Sequence, residues 1–157
     1  GGTGLDRWNK NWPTIYKIAK EVGIKYPEVV AAQFGQESKW GNLETGKNNY
    51  LGIKATQEEI DNGQSTLADT WEEIDGKKVK IKAHFKNFDS IRDALLHYKK
   101  FWNDDYKDRK GLVNAKTREE AVHLLKANGY ATDSKYVKAI LQILKNSRDP
   151  RFGKALY

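Results

Sequence analysis

Cysteine and methionine are both absent from the 157 residues, and proline occurs only three times. Without cysteine there is no disulfide, no thiolate nucleophile and no cysteine-based zinc site. No apolar run approaches the roughly 18 residues a membrane-spanning helix needs, so membrane insertion is not expected. No charged-then-apolar leader opens the chain. The start, Gly1-Gly2-Thr3-Gly4, together with the missing methionine, reads as a processed or trimmed product. A targeting segment is therefore expected to lie outside this chain. Serine-hydrolase patterns and phosphate-cradling glycine loops are missing. So are zinc fingers, a helix-turn-helix pattern and an RNP-type aromatic string, and no nucleic-acid partner is expected. His84, His97 and His123 share no ligand spacing, so neither a metal nor another cofactor is expected.

What remains is enough for one domain. At roughly 150 residues per domain, 1–157 reads as a single unit, with about 1–12 as an N-terminal extension or trimming remnant. Aromatic residues make up 11% of the chain, which argues against disorder. The formal net charge is +7. That charge suits nucleic acid, an anionic membrane or an anionic wall polymer, and equally a lysine-rich solvated surface. Lys77, Lys78, Lys80 and Lys82 are the nearest thing to a basic patch.

Apolar spacing predicts a mainly helical α+β chain. Pro13 is read as a helix start, with Ile15, Ile18, Ala19 and Val22 on one stripe and Gly23 as the stop. Pro27 opens a second helix through Val29, Val30 and Phe34, running to about Lys39 and ending at Gly41. Residues 42–49 read as loop, and so do 56–65, with room for a helical turn at Gln57–Asp61. Asp75-Gly76 marks a two-residue hairpin turn inside 67–85. Further helices follow. One is capped by Asp89 or Ser90 and carries Ile91, Ala94, Leu95, Tyr98 and Trp102. Another follows the capping box Thr117–Glu120, with Val122, Leu124 and Leu125, and ends at Asn128-Gly129. The last starts at Asp133 or Ser134, with Val137, Ile140, Leu141 and Leu144 aligned.

Two carboxylates stand out. Glu37 falls on the apolar face of the second helix, near its C-terminal end. Desolvation and the negative end of the helix dipole both favour the protonated form there, as a general acid near neutral pH requires. An exposed glutamate at a frayed end, or one paired with a lysine, is the alternative. Glu72 and Glu73 point to opposite faces of the first hairpin strand, and one of them can face a cleft. Two carboxylates across a cleft are the usual glycosidase arrangement. Trp40, Tyr50, Trp71, Tyr130 and Tyr136 lie near turns, outside the clearest core stripes, where aromatic rings can stack on sugars.

Five blocks in order then resemble glycoside hydrolase family 73, the peptidoglycan-cleaving β-N-acetylglucosaminidases. Gln33-Phe34-Gly35-Gln36-Glu37-Ser38-Lys39-Trp40-Gly41 is similar to the family's AQ-x-x-x-ES-x-WG signature. Asn48-Asn49-Tyr50-Leu51-Gly52-Ile53-Lys54 resembles the segment that follows it. Thr70-Trp71-Glu72-Glu73-Ile74-Asp75-Gly76 resembles the hairpin. Ala83 to Ser90 and Gly129 to Tyr136 resemble two later stretches, so the likeness runs from about 13 to about 145. Lys39, Phe88, Ser134 and Lys86 depart from the pattern and leave both carboxylates in place.

The resemblance implies a lysozyme-like fold, with a helical lobe and a small β-hairpin lobe flanking a cleft. It implies a single catalytic domain, monomeric in isolation, that hydrolyses the β-1,4 bond between N-acetylglucosamine and N-acetylmuramic acid in peptidoglycan strands. Glu37 matches the general acid, Glu72 the second acidic residue and Tyr130 a catalytic tyrosine of the cleft. Tyr136, Trp71, Tyr50 and Asn49 are the implied substrate contacts. A muramidase or lytic transglycosylase on the same fold, or a wall-binding module without catalysis, are the alternatives. The expected location is extracellular, at a cell wall or in a phage particle.

Overall fold

The computed structural model describes residues 4–37, 45–103, 112–127 and 135–146. Helix α1 spans Gly4–Glu21 and contains Pro13 rather than starting at it. The reason is visible in the spacing. Leu5, Trp8, Trp12, Ile15 and Ala19 continue one i, i+3, i+4 stripe across the proline. Trp12 stacks edge-on to Tyr16, with ring centroids 6.2 Å apart. A proline removes one backbone bond from a helix without always ending it. Gly23 does end it. Its φ of +93° suits glycine. Ile24 N–H donates to the Ala19 carbonyl and Gly23 N–H to that of Lys20, the Schellman pattern.

Helix α2, Pro27–Glu37, is the centre of the molecule. Val29 through Phe34 are all buried, so its middle has no solvent face. It packs on α1, on α5 (Arg118–Ala127) and on α6 (Tyr136–Asn146). The expected end at Lys39–Gly41 lies outside the described residues. Glu28, in its first turn, is buried as well. Burial pushes its carboxyl up, and the nearby Arg118 guanidinium partly opposes that.

Residues 57–61 form the short helix α3, Gln57–Asp61. A capping box holds it: Glu59 N–H donates to Thr56 Oγ1, and Thr56 N–H to Glu59 Oε1. The hairpin is β1, Ser65–Ile74, paired antiparallel with β2, Lys77–Lys86. Asp75 and Gly76 take φ of +51° and +77°, which is the two-residue type I′ turn. On the far edge of β2, Lys54 bridges Phe85. Ala55 N–H donates to His84 O there, and Lys86 N–H to Ile53 O.

Helix α4, Ile91–Asn103, buries Ala94, Leu95, Tyr98 and Trp102 as the periodicity predicts. Ser90 caps it, its Oγ accepting from Asp93 N–H at 3.0 Å. Thr117 Oγ1 caps α5 through Glu120 N–H, while the Glu120 carboxylate takes the Lys116 N–H instead of closing the box on Thr117. Helix α6 buries Tyr136, Ile140, Ile143 and Leu144, with Val137 and Leu141 only partly covered. The buried stripe is thus turned slightly from the expected one, toward Ile143. Asn128-Gly129 and Asp133-Ser134 lie outside the described residues. Among the described residues, no helix is long and apolar enough to cross a membrane.

Candidate active site

Glu37 is the last residue of α2, so the central helix carries it to the helix's C-terminal end. Its backbone is described and its side chain is not. Four residues earlier, and so on the same helical face, stands Gln33, which is fully buried. Its amide uses both ends. Gln33 Oε1 accepts from Tyr98 Oη at 2.8 Å, and Gln33 Nε2 donates to Tyr136 Oη at 2.8 Å. One side chain of α2 therefore ties in α4 and α6. A buried amide is costly unless both ends are bonded, and here each has a partner.

Tyr136 thus differs from its expected place near a turn and outside the core. It opens α6, is 2% exposed, and turns its hydroxyl to Gln33. Tyr50 is half-buried against Phe34, with ring centroids 5.0 Å apart. Asn49 is fully buried. Its Nδ2 donates to the carbonyls of Ile53 and Lys86, and its Oδ1 accepts from Ile53 N–H. This side chain binds residue 53 to the end of β2.

The tight turn before it is equally constrained. A Cβ on Gly46 would lie 2.4 Å from the Lys86 carbonyl, so only glycine lets the loop approach β2 so closely. Asn48 Nδ2 donates to Phe88 O, and Lys47 N–H to Asn87 Oδ1.

The hairpin sorts the remaining candidates by face. Residues directly opposite share a face, so Glu72 lies with Thr70, Val79 and Ile81. Trp71 lies on the other face with Lys80, and is 62% exposed. The structure does not bring Trp71 to the Glu72 side. On that outer face, Lys80 Nζ sits 3.4 Å from Asp69 Oδ2. Glu72 Oε1 accepts from Lys54 Nζ at 3.0 Å, and its side chain is 20% exposed.

Tyr130 and Trp40 lie outside the described residues. Among the described residues, no group of three His, Asp or Glu side chains is placed to hold a metal. Two residues escaped the sequence reading. Gln33 was signalled by being the one polar residue in the run Val29–Phe34, and Lys54 by closing the motif Asn48–Lys54.

A family model described as glucosaminidase, mannosyl-glycoprotein endo-β-N-acetylglucosaminidase, matches residues 12–149. The chain is 29% identical over 140 residues to the peptidoglycan hydrolase FlgJ of Vibrio parahaemolyticus, covering 86% of this chain and 44% of that protein. It is 29% identical over 127 residues to the exo-glucosaminidase LytG of Bacillus subtilis, covering 76% and 43% respectively. The catalytic domain of the autolysin Auto from Listeria monocytogenes superposes with a TM-score of 0.66 at 29% identity, covering 97% of this chain and 89% of that one. The chain spans less than half the length of these two curated relatives.

Proposed function

The chain belongs to the glucosaminidase family, glycoside hydrolase family 73, and from that premise we propose that it hydrolyses the β-1,4 bond between N-acetylglucosamine and N-acetylmuramic acid in peptidoglycan. The observation that carries this reading is the family match, which runs through both α2 and the hairpin.

In the proposed reaction Glu37 protonates the leaving glycosidic oxygen while positive charge develops on the sugar ring. Water supplies the hydroxyl of the new reducing end. Glu72, which accepts a hydrogen bond from Lys54, serves as the second carboxylate of the pair. It activates the water, stabilises the ring charge or orients the substrate's acetamido group. Tyr130 is given the catalytic role that the family resemblance implies, and Tyr50 that of sugar stacking. Asn49 and Tyr136 act from behind the cleft wall, since both are buried with polar atoms bonded inside the protein. The net charge of +7 draws the enzyme to anionic wall polymers, outside the cytoplasm.

The test is a digest of purified peptidoglycan, reduced with borohydride and read by mass spectrometry, alongside Glu37→Gln. New reducing N-acetylglucosamine ends are expected. The variant should lose about 100-fold or more of the rate, at the scale of a general acid's contribution, with an unchanged melting curve. Reducing muramic acid ends would instead mean a muramidase, and anhydro ends a transglycosylase. Wall binding without any release would mean a non-catalytic module.

A further inference from the structure

Lys54 carries none of the roles assigned above, yet the structure spends much of its local bonding on placing it. Residues 53–55 lie along the free edge of β2, held by the Lys86–Ile53 and Ala55–His84 backbone bonds. The fully buried Asn49 amide grips Ile53 at both its N–H and its carbonyl. Lys54 itself bridges Phe85. From that fixed backbone its ammonium reaches Glu72 Oε1 at 3.0 Å.

The reach is informative. Lys54 pairs beside Phe85, while Glu72 pairs with Val79, and 85 − 79 = 6 residues of β2 separate the two positions. On a flat strand that is about 20 Å, well beyond two side chains. The contact exists only because the hairpin twists and coils back over its base. The pair therefore joins the far part of the hairpin to the segment along its base. By register, Lys77 is the next charged side chain on the Glu72 face, and Glu73 with Lys78 lie on the other.

We propose that Lys54 is a positioning residue for Glu72: an ammonium fixed on the Asn49-clamped segment holds the hairpin carboxylate in its working place. The inference rests on the reading of Glu72 as the second working carboxylate.

The experiment compares Lys54→Met, Lys54→Arg, Glu72→Gln and the Lys54→Met/Glu72→Gln double variant on soluble peptidoglycan fragments. Lys54→Met should lower kcat about 10- to 100-fold, the scale of a misplaced reacting group. KM should change by less than about threefold, since ground-state binding is untouched. Its Tm should stay within about 2 °C, because a half-exposed ion pair adds little stability. Lys54→Arg should restore most of the rate. In the Glu72→Gln background the Lys54→Met change should add nothing. An independent readout is the side-chain 13C carboxyl resonance of Glu72 at fixed pH, which should shift in Lys54→Met and hold in Lys54→Arg. Glu72→Gln at parental activity would overturn the reading of Glu72, and this inference with it. An impaired Glu72→Gln beside a fully active Lys54→Met would overturn the inference alone. So would an unmoved Glu72 carboxyl resonance, or an equal Lys54→Met loss in both backgrounds.

Discussion

Among the helices, Val29, Val30, Leu95, Trp102, Val122 and Ile140 are almost completely removed from water; in the two ten-residue strands of the hairpin only Phe85 is buried. Leu67, Trp71, Ile74 and Val79 on those strands are all exposed. The helical part is held by apolar burial, at roughly 25 cal/mol per Å². The hairpin has little of that, and an isolated two-stranded hairpin is marginal in water. It is held instead by its turn, its register and polar tethers. These are the Asn49 clamp, the Lys54–Glu72 pair and the contact of Lys86 with Glu59. The two proposed carboxylates are thus mounted differently. Glu37 stands at the end of a helix packed on three sides, and Glu72 on a lobe that polar contacts hold in place.

If that contrast is right, two tryptophans should behave in opposite ways. Trp102→Ala should cost about 3–5 kcal/mol, roughly 6–20 °C in Tm for a chain of this size. Trp71→Ala should stay within about 0.5 kcal/mol. Thermal melts of both would break the comparison if the two losses were similar. Gln33→Leu probes the polar exception inside the helical part. Deleting the amide removes both tyrosine bonds and should cost about 1–3 kcal/mol by denaturant unfolding, although leucine is the more apolar residue.

Two glycines separate tether from turn. Gly46→Ala forces the Lys86 carbonyl to move and should cost about 1–3 kcal/mol. Gly76→Ala meets open space, so only its positive φ is penalised, by about 1 kcal/mol. Equal effects would mean that the turn matters as much as the base. The smallest effect concerns Glu28, whose folded-state carboxyl is raised above its ordinary 4.5 chiefly by burial. The folded chain then holds a proton that the unfolded chain has released. Stability is lost as pH rises from about 4.5 through the raised value. Glu28→Gln should flatten that slope in unfolding curves taken from about pH 4 upward.

Much of this was legible from residue order. The Gly23 stop, the Pro27 start, the Asp75-Gly76 turn and the α4 stripe each depend on neighbours a few positions away, and each is found where the pattern puts it. Pro13 misled because one missing N–H was weighed above a continuous apolar stripe. Tyr136 misled because a place near a turn says nothing of what a neighbouring helix covers.

Residue order alone carried most of the helical segments, the hairpin turn and the family, and singled out two glutamates. Packing alone joins Gln33 to Tyr98 and Tyr136, residues 65 and 103 positions away. It also decides that Asn49 spends its amide internally and that Lys54 meets Glu72. Periodicity and capping are short-range and repeat with the backbone, so they can be read from order alone. A hydrogen bond between distant side chains depends on how helices pack and how a hairpin coils, and that geometry exists only once the chain has folded.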